Sequence, residues 1–172
     1  LMTKESEGGW YYQQVDLGFN YRMTELQAAL GISQMQRLDE FVAKRHILQK
    51  KYDLLLEDLP IIKPYQDKDS YSALHLYPIQ IDLNSTKKSR KQVFNELRKK
   101  NISVNVHYIP IYSHPYYEKF DFSNEILPIA ENYYNRTISI PLFSIMTSLQ
   151  QNTVEQALLS IFKLNNKSET IL

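Results

Sequence analysis

From Leu26 to Leu59 an apolar residue recurs every three or four positions, and no proline intervenes before Pro60. That spacing gathers apolar side chains on one face of an α-helix, and proline, which has no N–H to give, ends it. Thr24 and Gln27 supply a start signal. At this capping-box spacing each side chain satisfies a backbone N–H of the first turn, and losing such a cap costs about 1 kcal/mol. Leu26, Ala29, Leu30, Ser33 and Arg37 share a face, with Ala29 and Ser33 small enough for close packing. Leu38, Phe41, Val42, Arg45, Leu48, Tyr52, Leu55, Leu56 and Leu59 extend the spacing. Gly31 lowers helix propensity by about 1 kcal/mol relative to alanine without forcing a break. The pattern predicts one long helix from Thr24 to Leu59, able to connect two layers or two domains.

Downstream the signals alternate. Ile61 and Ile62 read as a short extended piece, and Gln66 to Ser72 as a mobile polar loop. His75 to Asp82 alternates as a strand, with Pro78 requiring an edge, an end or a bulge. Ser85 or Thr86 is the expected cap of a second helix that turns Val93, Phe94 and Leu97 inward and Lys87, Lys88, Arg90, Lys91, Arg98, Lys99 and Lys100 outward. Asn101 suits a left-handed stop. Ile102 to Tyr108 reads as a strand, followed by an aromatic loop through Tyr112, Tyr116, Tyr117 and Phe120. Pro128 suits a first helical position, Thr137 to Ile140 reads as a third strand, and Thr147 with Gln150 repeats the capping box. The last helix is expected to bury Val154, Ala157, Leu158, Ile161 and Phe162, with a frayed tail from Asn165. This order predicts an α/β two-layer domain with a small sheet packed on helices.

Composition removes several functions. A net charge of +1 argues against a dedicated nucleic-acid binder, and the basic outer face of the second helix lacks interleaved aromatics. It reads as a solvated face. Without cysteine there are no disulfides, thiolate nucleophiles or cysteine metal sites, which fits a cytoplasmic protein. No apolar run reaches the length of a membrane-spanning helix, so no membrane association is expected. Leu1 is an unusual first residue, and the polar stretch after it reads like the interior of a longer protein. Trp10, Tyr11 and Tyr12 are expected to dock, on another domain or on this domain's own helix.

Candidate chemistry is sparse. None of the four histidines, His46, His75, His107 and His114, pairs at the helical spacing a zinc site often uses. Neither a nucleophile elbow nor a phosphate-binding glycine loop is present. Gly18, Asn20 and Arg22 lie just before a helix N-terminus, whose unpaired N–H groups and partial positive charge suit an anion. His107 and Tyr108 lie where a strand ends and a side chain can leave the sheet for a cleft; a histidine satisfied by the backbone is the alternative.

Four stretches carry a resemblance. Trp10 to Gly31 is similar to the segment that follows the cofactor lysine in the DegT-type nucleotide-sugar aminotransferases, which depend on pyridoxal phosphate. His75-Leu76-Tyr77-Pro78-Ile79, Val104 to Ile111, and Ser139-Ile140-Pro141-Leu142-Phe143 with Met146-Thr147 agree in the same order.

The resemblance implies that residues 1–23 are the tail of a large cofactor-binding domain, 24–59 a connecting helix, and 60–172 the small C-terminal α/β domain of a fold-type-I aminotransferase. It implies that Asn20 reaches across a homodimer to the cofactor phosphate. Arg22 either contacts substrate phosphate or braces the turn through an ion pair. His107 and Tyr108 become candidates for contact with the nucleotide-sugar. The Schiff-base lysine of such an enzyme lies upstream; Lys4 does not match its context, so the chain alone is expected to be inactive. The implied reaction moves an amino group from glutamate to a 4-keto UDP-deoxy-sugar for bacterial surface glycans. Another keto-sugar nucleotide, or a non-catalytic dimerisation or sugar-nucleotide-binding domain, are the alternatives.

Overall fold

Two helices occupy the stretch whose spacing predicts one. The computed structural model of the chain describes residues 16–19, 21–118, 120 and 127–163, so Asn20 and the Trp10 to Tyr12 cluster lie outside the described residues. Two compact units divide the chain, Leu1–Arg37 and Leu38–Leu172.

In the first unit, α1 (Glu25–Met35) begins at the expected capping box. Gln27 N donates to Thr24 Oγ1 at 3.3 Å, and Thr24 N donates to Gln27 Oε1 at 2.9 Å. The helix tightens and stops at Gln36 and Arg37, where Arg37 N donates to the Gln34 carbonyl three residues back. No residue of α1 is buried; Leu26, Leu30, Ile32 and Met35 are exposed. The apolar face expected on this helix is therefore exposed within the unit that carries it.

In the second unit, α2 (Leu38–Leu55) follows the predicted face closely, burying Val42, Leu48 and Tyr52, with Leu56 and Leu59 buried beyond its end. Three strands, β1 (Ile61–Ile62), β2 (Tyr77–Ile81) and β3 (Thr137–Ile140), form an antiparallel sheet in the order β1-β2-β3. Register places Tyr77 opposite Ile140 and Ile79 opposite Ile138, so these four side chains share one face with Ile81. Tyr52 of α2 sits on that face, its ring 5.2 Å from the Tyr77 ring, and its hydroxyl donates to the Pro141 carbonyl at 3.0 Å. Burying so many large apolar side chains is the main force holding helices to sheet, about 1.5–3 kcal/mol for each fully buried one.

The connecting loop after β1 is fastened to α2. His46 Nε2 donates to the Ser72 carbonyl at 2.8 Å, and the Tyr71 ring stacks on the imidazole at 4.5 Å. Helix α3 (Arg90–Lys99) is capped by Ser89 with Gln92, not by Ser85 or Thr86. Those two are used earlier: Ser85 Oγ donates to Asp82 Oδ2, and Thr86 Oγ1 accepts from Lys88 N. Val93 and Leu97 point into the core as expected, Phe94 packs against it, and Asn101 takes the left-handed φ of 59°.

The strand expected over Ile102 to Tyr108 shrinks to a single bridge between Asn105 and Ser139. Beyond that bridge, Val106 N–H is taken by the Asn105 side chain at 2.8 Å. After a 3₁₀ turn at Ile111–Ser113 and the short α4 (Pro115–Glu118), α5 (Pro128–Arg136) opens with Pro128 in its first turn. The second capping box, Thr147 with Gln150, opens α6 (Ser148–Lys163), which buries all five residues expected of it.

Candidate functional site

Ser139 is the fixed point of the site. Its N–H donates to the Asn105 carbonyl at 2.8 Å and its carbonyl accepts from Asn105 N at 3.3 Å. Both of its backbone groups thus face Asn105, and its pairing with Pro78 on the other side asks for no hydrogen bond. Pro78 accordingly sits in the sheet without removing a bond between β2 and β3. Directly opposed residues of an antiparallel pair present their side chains on the same face. His107, two residues beyond Asn105, comes back to that face, and its Nδ1 lies 2.8 Å from Ser139 Oγ.

The His107–Tyr108 peptide is cis, and the two rings meet edge to face with centroids 4.6 Å apart. His107 is half-buried, whereas Tyr108 is 71% exposed, so the imidazole is the more sheltered ring of the pair. Ser139, at 6% exposure, sits beneath it. Among the described residues no hydrogen bond engages His107 Nε2, which leaves one polar ring atom available to a ligand. Nearby, Tyr112 donates its hydroxyl to Glu131 at 2.6 Å, which raises the phenol's pKa and ties the aromatic loop to α5.

The sequence-derived candidates are placed unevenly. His107 and Tyr108 come together as a unit with Ser139. Arg22 is exposed, two residues before the Thr24 cap, with no ion pair to a described residue. Asn20 lies outside the described residues. Ser139 was missed: it stands in a quoted block of the resemblance, yet an alternating reading of Thr137 to Ile140 treats it as a strand residue. The available signal was a small hydroxyl between two isoleucines, with proline following in a strand buried throughout.

A family model described as the DegT/DnrJ/EryC1/StrS aminotransferase family matches residues 2–159. The chain belongs to that family. It is 36% identical over 161 residues to the spore coat polysaccharide biosynthesis protein SpsC of Bacillus subtilis, a match covering 92% of this chain and 41% of SpsC. It is 34% identical over 156 residues to the UDP-4-amino-4,6-dideoxy-N-acetyl-beta-L-altrosamine transaminase of Campylobacter jejuni, covering 90% of this chain and 41% of that protein. Among solved structures, PseC of Helicobacter pylori, an aminotransferase involved in the biosynthesis of pseudoaminic acid, superposes with a TM-score of 0.81. That match has 27% identity and takes in 92% of this chain and 43% of PseC. The α/β domain built on β1 to β3 is thus an aminotransferase domain. The chain spans about two fifths of the length of the curated relatives it matches.

An aminotransferase of this family works with pyridoxal phosphate, which requires a lysine amine for the imine and donors for the phosphate. The described contacts of His107 offer a serine hydroxyl and a tyrosine ring, with no ammonium and no guanidinium. This cluster does not fit the cofactor.

Proposed function

We propose that this chain is the C-terminal part of a pyridoxal-phosphate-dependent aminotransferase that transfers an amino group from glutamate to the 4-keto carbon of a UDP-linked deoxy-sugar. The pathway is of the pseudaminic acid type, serving bacterial surface glycans, and the enzyme is a cytoplasmic homodimer. When bound, the cofactor supplies an electron sink for moving the amino group. Its lysine comes from outside this chain, and Asn20 reaches the cofactor phosphate of the neighbouring subunit. Arg22, His107 and Tyr108 contact the nucleotide-sugar. The chain by itself does not transaminate.

The observation that carries this reading is the His107–Tyr108 pair, held on an aminotransferase domain with one imidazole nitrogen unengaged. Similarity to a spore coat polysaccharide biosynthesis protein and to a transaminase of a UDP-amino-sugar supports the substrate class. Neutral hydrogen-bonding groups beside an aromatic ring suit a sugar better than a carboxylate or a metal.

The test is turnover by the full-length protein with glutamate and a panel of UDP-keto-sugars, followed by mass analysis of the products. Amination at carbon 4 of a UDP-deoxy-sugar is expected, together with a trapped cofactor–lysine adduct that the isolated chain does not form. Amination at carbon 3, or of a differently linked nucleotide, moves the specificity while keeping the class. No turnover and no cofactor adduct on the full-length protein defeats the reading.

A further inference from the structure

We propose that Ser139 is the positioning residue for His107. Its hydroxyl fixes the imidazole through Nδ1, so that Nε2 is presented to a hydroxyl or carbonyl of the nucleotide-sugar. This rests on the reading of His107 as a substrate contact and adds to it a reason why that contact has a defined geometry.

Three features carry the assignment. Ser139 is immobile: it lies within the sheet, paired to Pro78 on one side and doubly hydrogen-bonded to Asn105 on the other. Its hydroxyl is buried, and the 2.8 Å approach of His107 Nδ1 is its one hydrogen bond to another described residue. The imidazole, in contrast, hangs from a segment that leaves the sheet after Asn105 and has no ladder of its own. A ring on such a segment needs an external tether to keep one orientation, and the Tyr108 edge contact restrains it only from the side.

A serine hydroxyl can donate to an unprotonated Nδ1 or accept from a protonated one. Either way the ring is held in one orientation: Nε2 donates when serine donates to Nδ1, and accepts when serine accepts from it. Ser139 touches no substrate in this scheme and acts through the ring. Its loss should therefore appear as weaker or misdirected binding, with the chemical step left intact.

The experiment uses the full-length enzyme, with glutamate and a 4-keto UDP-deoxy-sugar as substrates. His107→Ala is expected to raise KM for the sugar by about tenfold or more, and Ser139→Ala by roughly three- to tenfold with little change in kcat. The double variant should match His107→Ala alone, since a positioning residue has nothing left to position. Ser139→Thr, which keeps the hydroxyl, should restore most of the loss. Should His107→Ala leave KM unchanged, the substrate-contact reading fails and takes this inference with it. Should His107→Ala be impaired while Ser139→Ala is silent, or should the two losses multiply, the reading stands and the positioning role is overturned.

Histidine-labelled wild-type enzyme gives a second measurement that survives a Ser139→Ala variant that does not fold. The His107 ring should hold a single side-chain orientation before any substrate is added. Averaging between ring orientations in the wild type overturns the proposal.

Discussion

Tyr77 on β2 donates its hydroxyl to Asp53 on α2 at 2.6 Å, joining the centre of the sheet to the longest helix of the second unit. Gln49, one turn earlier, donates to the other carboxylate oxygen of Asp53. The Tyr77 ring is wholly buried, so the bond lies at the edge of the core, where water competes poorly for it. A hydrogen bond to a charged acceptor contributes about 1.5–3 kcal/mol, and removing one partner leaves the other incompletely satisfied. Tyr77→Phe keeps the ring packing and loses only the hydroxyl. Chemical denaturation of that variant should show a loss of about 1–3 kcal/mol, with an unchanged denaturant slope. A variant as stable as the parent means that Gln49 and solvent satisfy Asp53 without Tyr77.

The same pair predicts an alkaline limit to stability. Burial pushes the Tyr77 phenol up, and the bond to Asp53 and its negative charge add to the shift; burial alone pushes Tyr52 up. Both folded pKa values exceed the unfolded value of about 10, so the folded state holds its phenolic protons longer. The associated stability is fully present below about pH 10 and falls as pH rises above it, by up to about 1.4 kcal/mol per pH unit for each tyrosine. Unfolding free energy measured from pH 8 to 11 should be flat and then decline, with a shallower decline in Tyr77→Phe. A profile that rises through this range, or an identical decline in the variant, contradicts the assignment.

Helix α3 offers a test of where a helix starts. Ser89 caps it reciprocally with Gln92, whereas Ser85 belongs to the turn made by Asp82, whose carboxylate accepts from Ser85 Oγ and Asn84 N. Those donors hold the Asp82 carboxyl below its ordinary pKa. Ser89→Ala should cost about 1 kcal/mol, and Ser85→Ala less than about 0.5 kcal/mol because it is exposed. Equal losses, read by thermal or urea unfolding, would place the helix start one turn too late.

How far the sequence reveals the molecule depends on the kind of signal each residue carries. Caps at Thr24 and Thr147, the Pro128 helix start and the buried faces of α2 and α6 are local patterns, and they are present as read. The cap of α3 was misplaced because serine and threonine recur at 85, 86 and 89, and only the Gln92 partner separates a cap from a turn. The Asn105 segment pairs with β3 only at Ser139, and alternation within one segment does not register how far its pairing with another runs. Likewise, the long helix breaks in a turn at Gln36 and Arg37 although Met35 and Leu38 carry the apolar spacing across it, so that spacing holds no signal for the break. His107 and Tyr108 are singled out by their place at the end of an expected strand and by a resemblance, and the structure brings their rings together. Ser139 gives no such signal, since its contact with His107 joins segments more than thirty residues apart in sequence.

Thr137 lies two residues before Ser139 on β3, with its side chain on the same face, and supplies the contrasting case. It is fully buried, yet its hydroxyl has no hydrogen-bond partner among the described residues. A buried hydroxyl without a partner costs roughly 1–3 kcal/mol by desolvation, and an apolar group of the same shape removes that cost. Thr137→Val replaces the hydroxyl with a methyl and retains the β-branch that suits a strand. The variant should therefore be as stable as the parent or more stable by up to about 1 kcal/mol. Because the Thr137 hydroxyl makes no hydrogen bond to His107, KM of the full-length enzyme for the sugar should stay unchanged, unlike in Ser139→Ala. A loss above about 1 kcal/mol would mean that the Thr137 hydroxyl does have a partner, and denaturation of the two single variants side by side decides it.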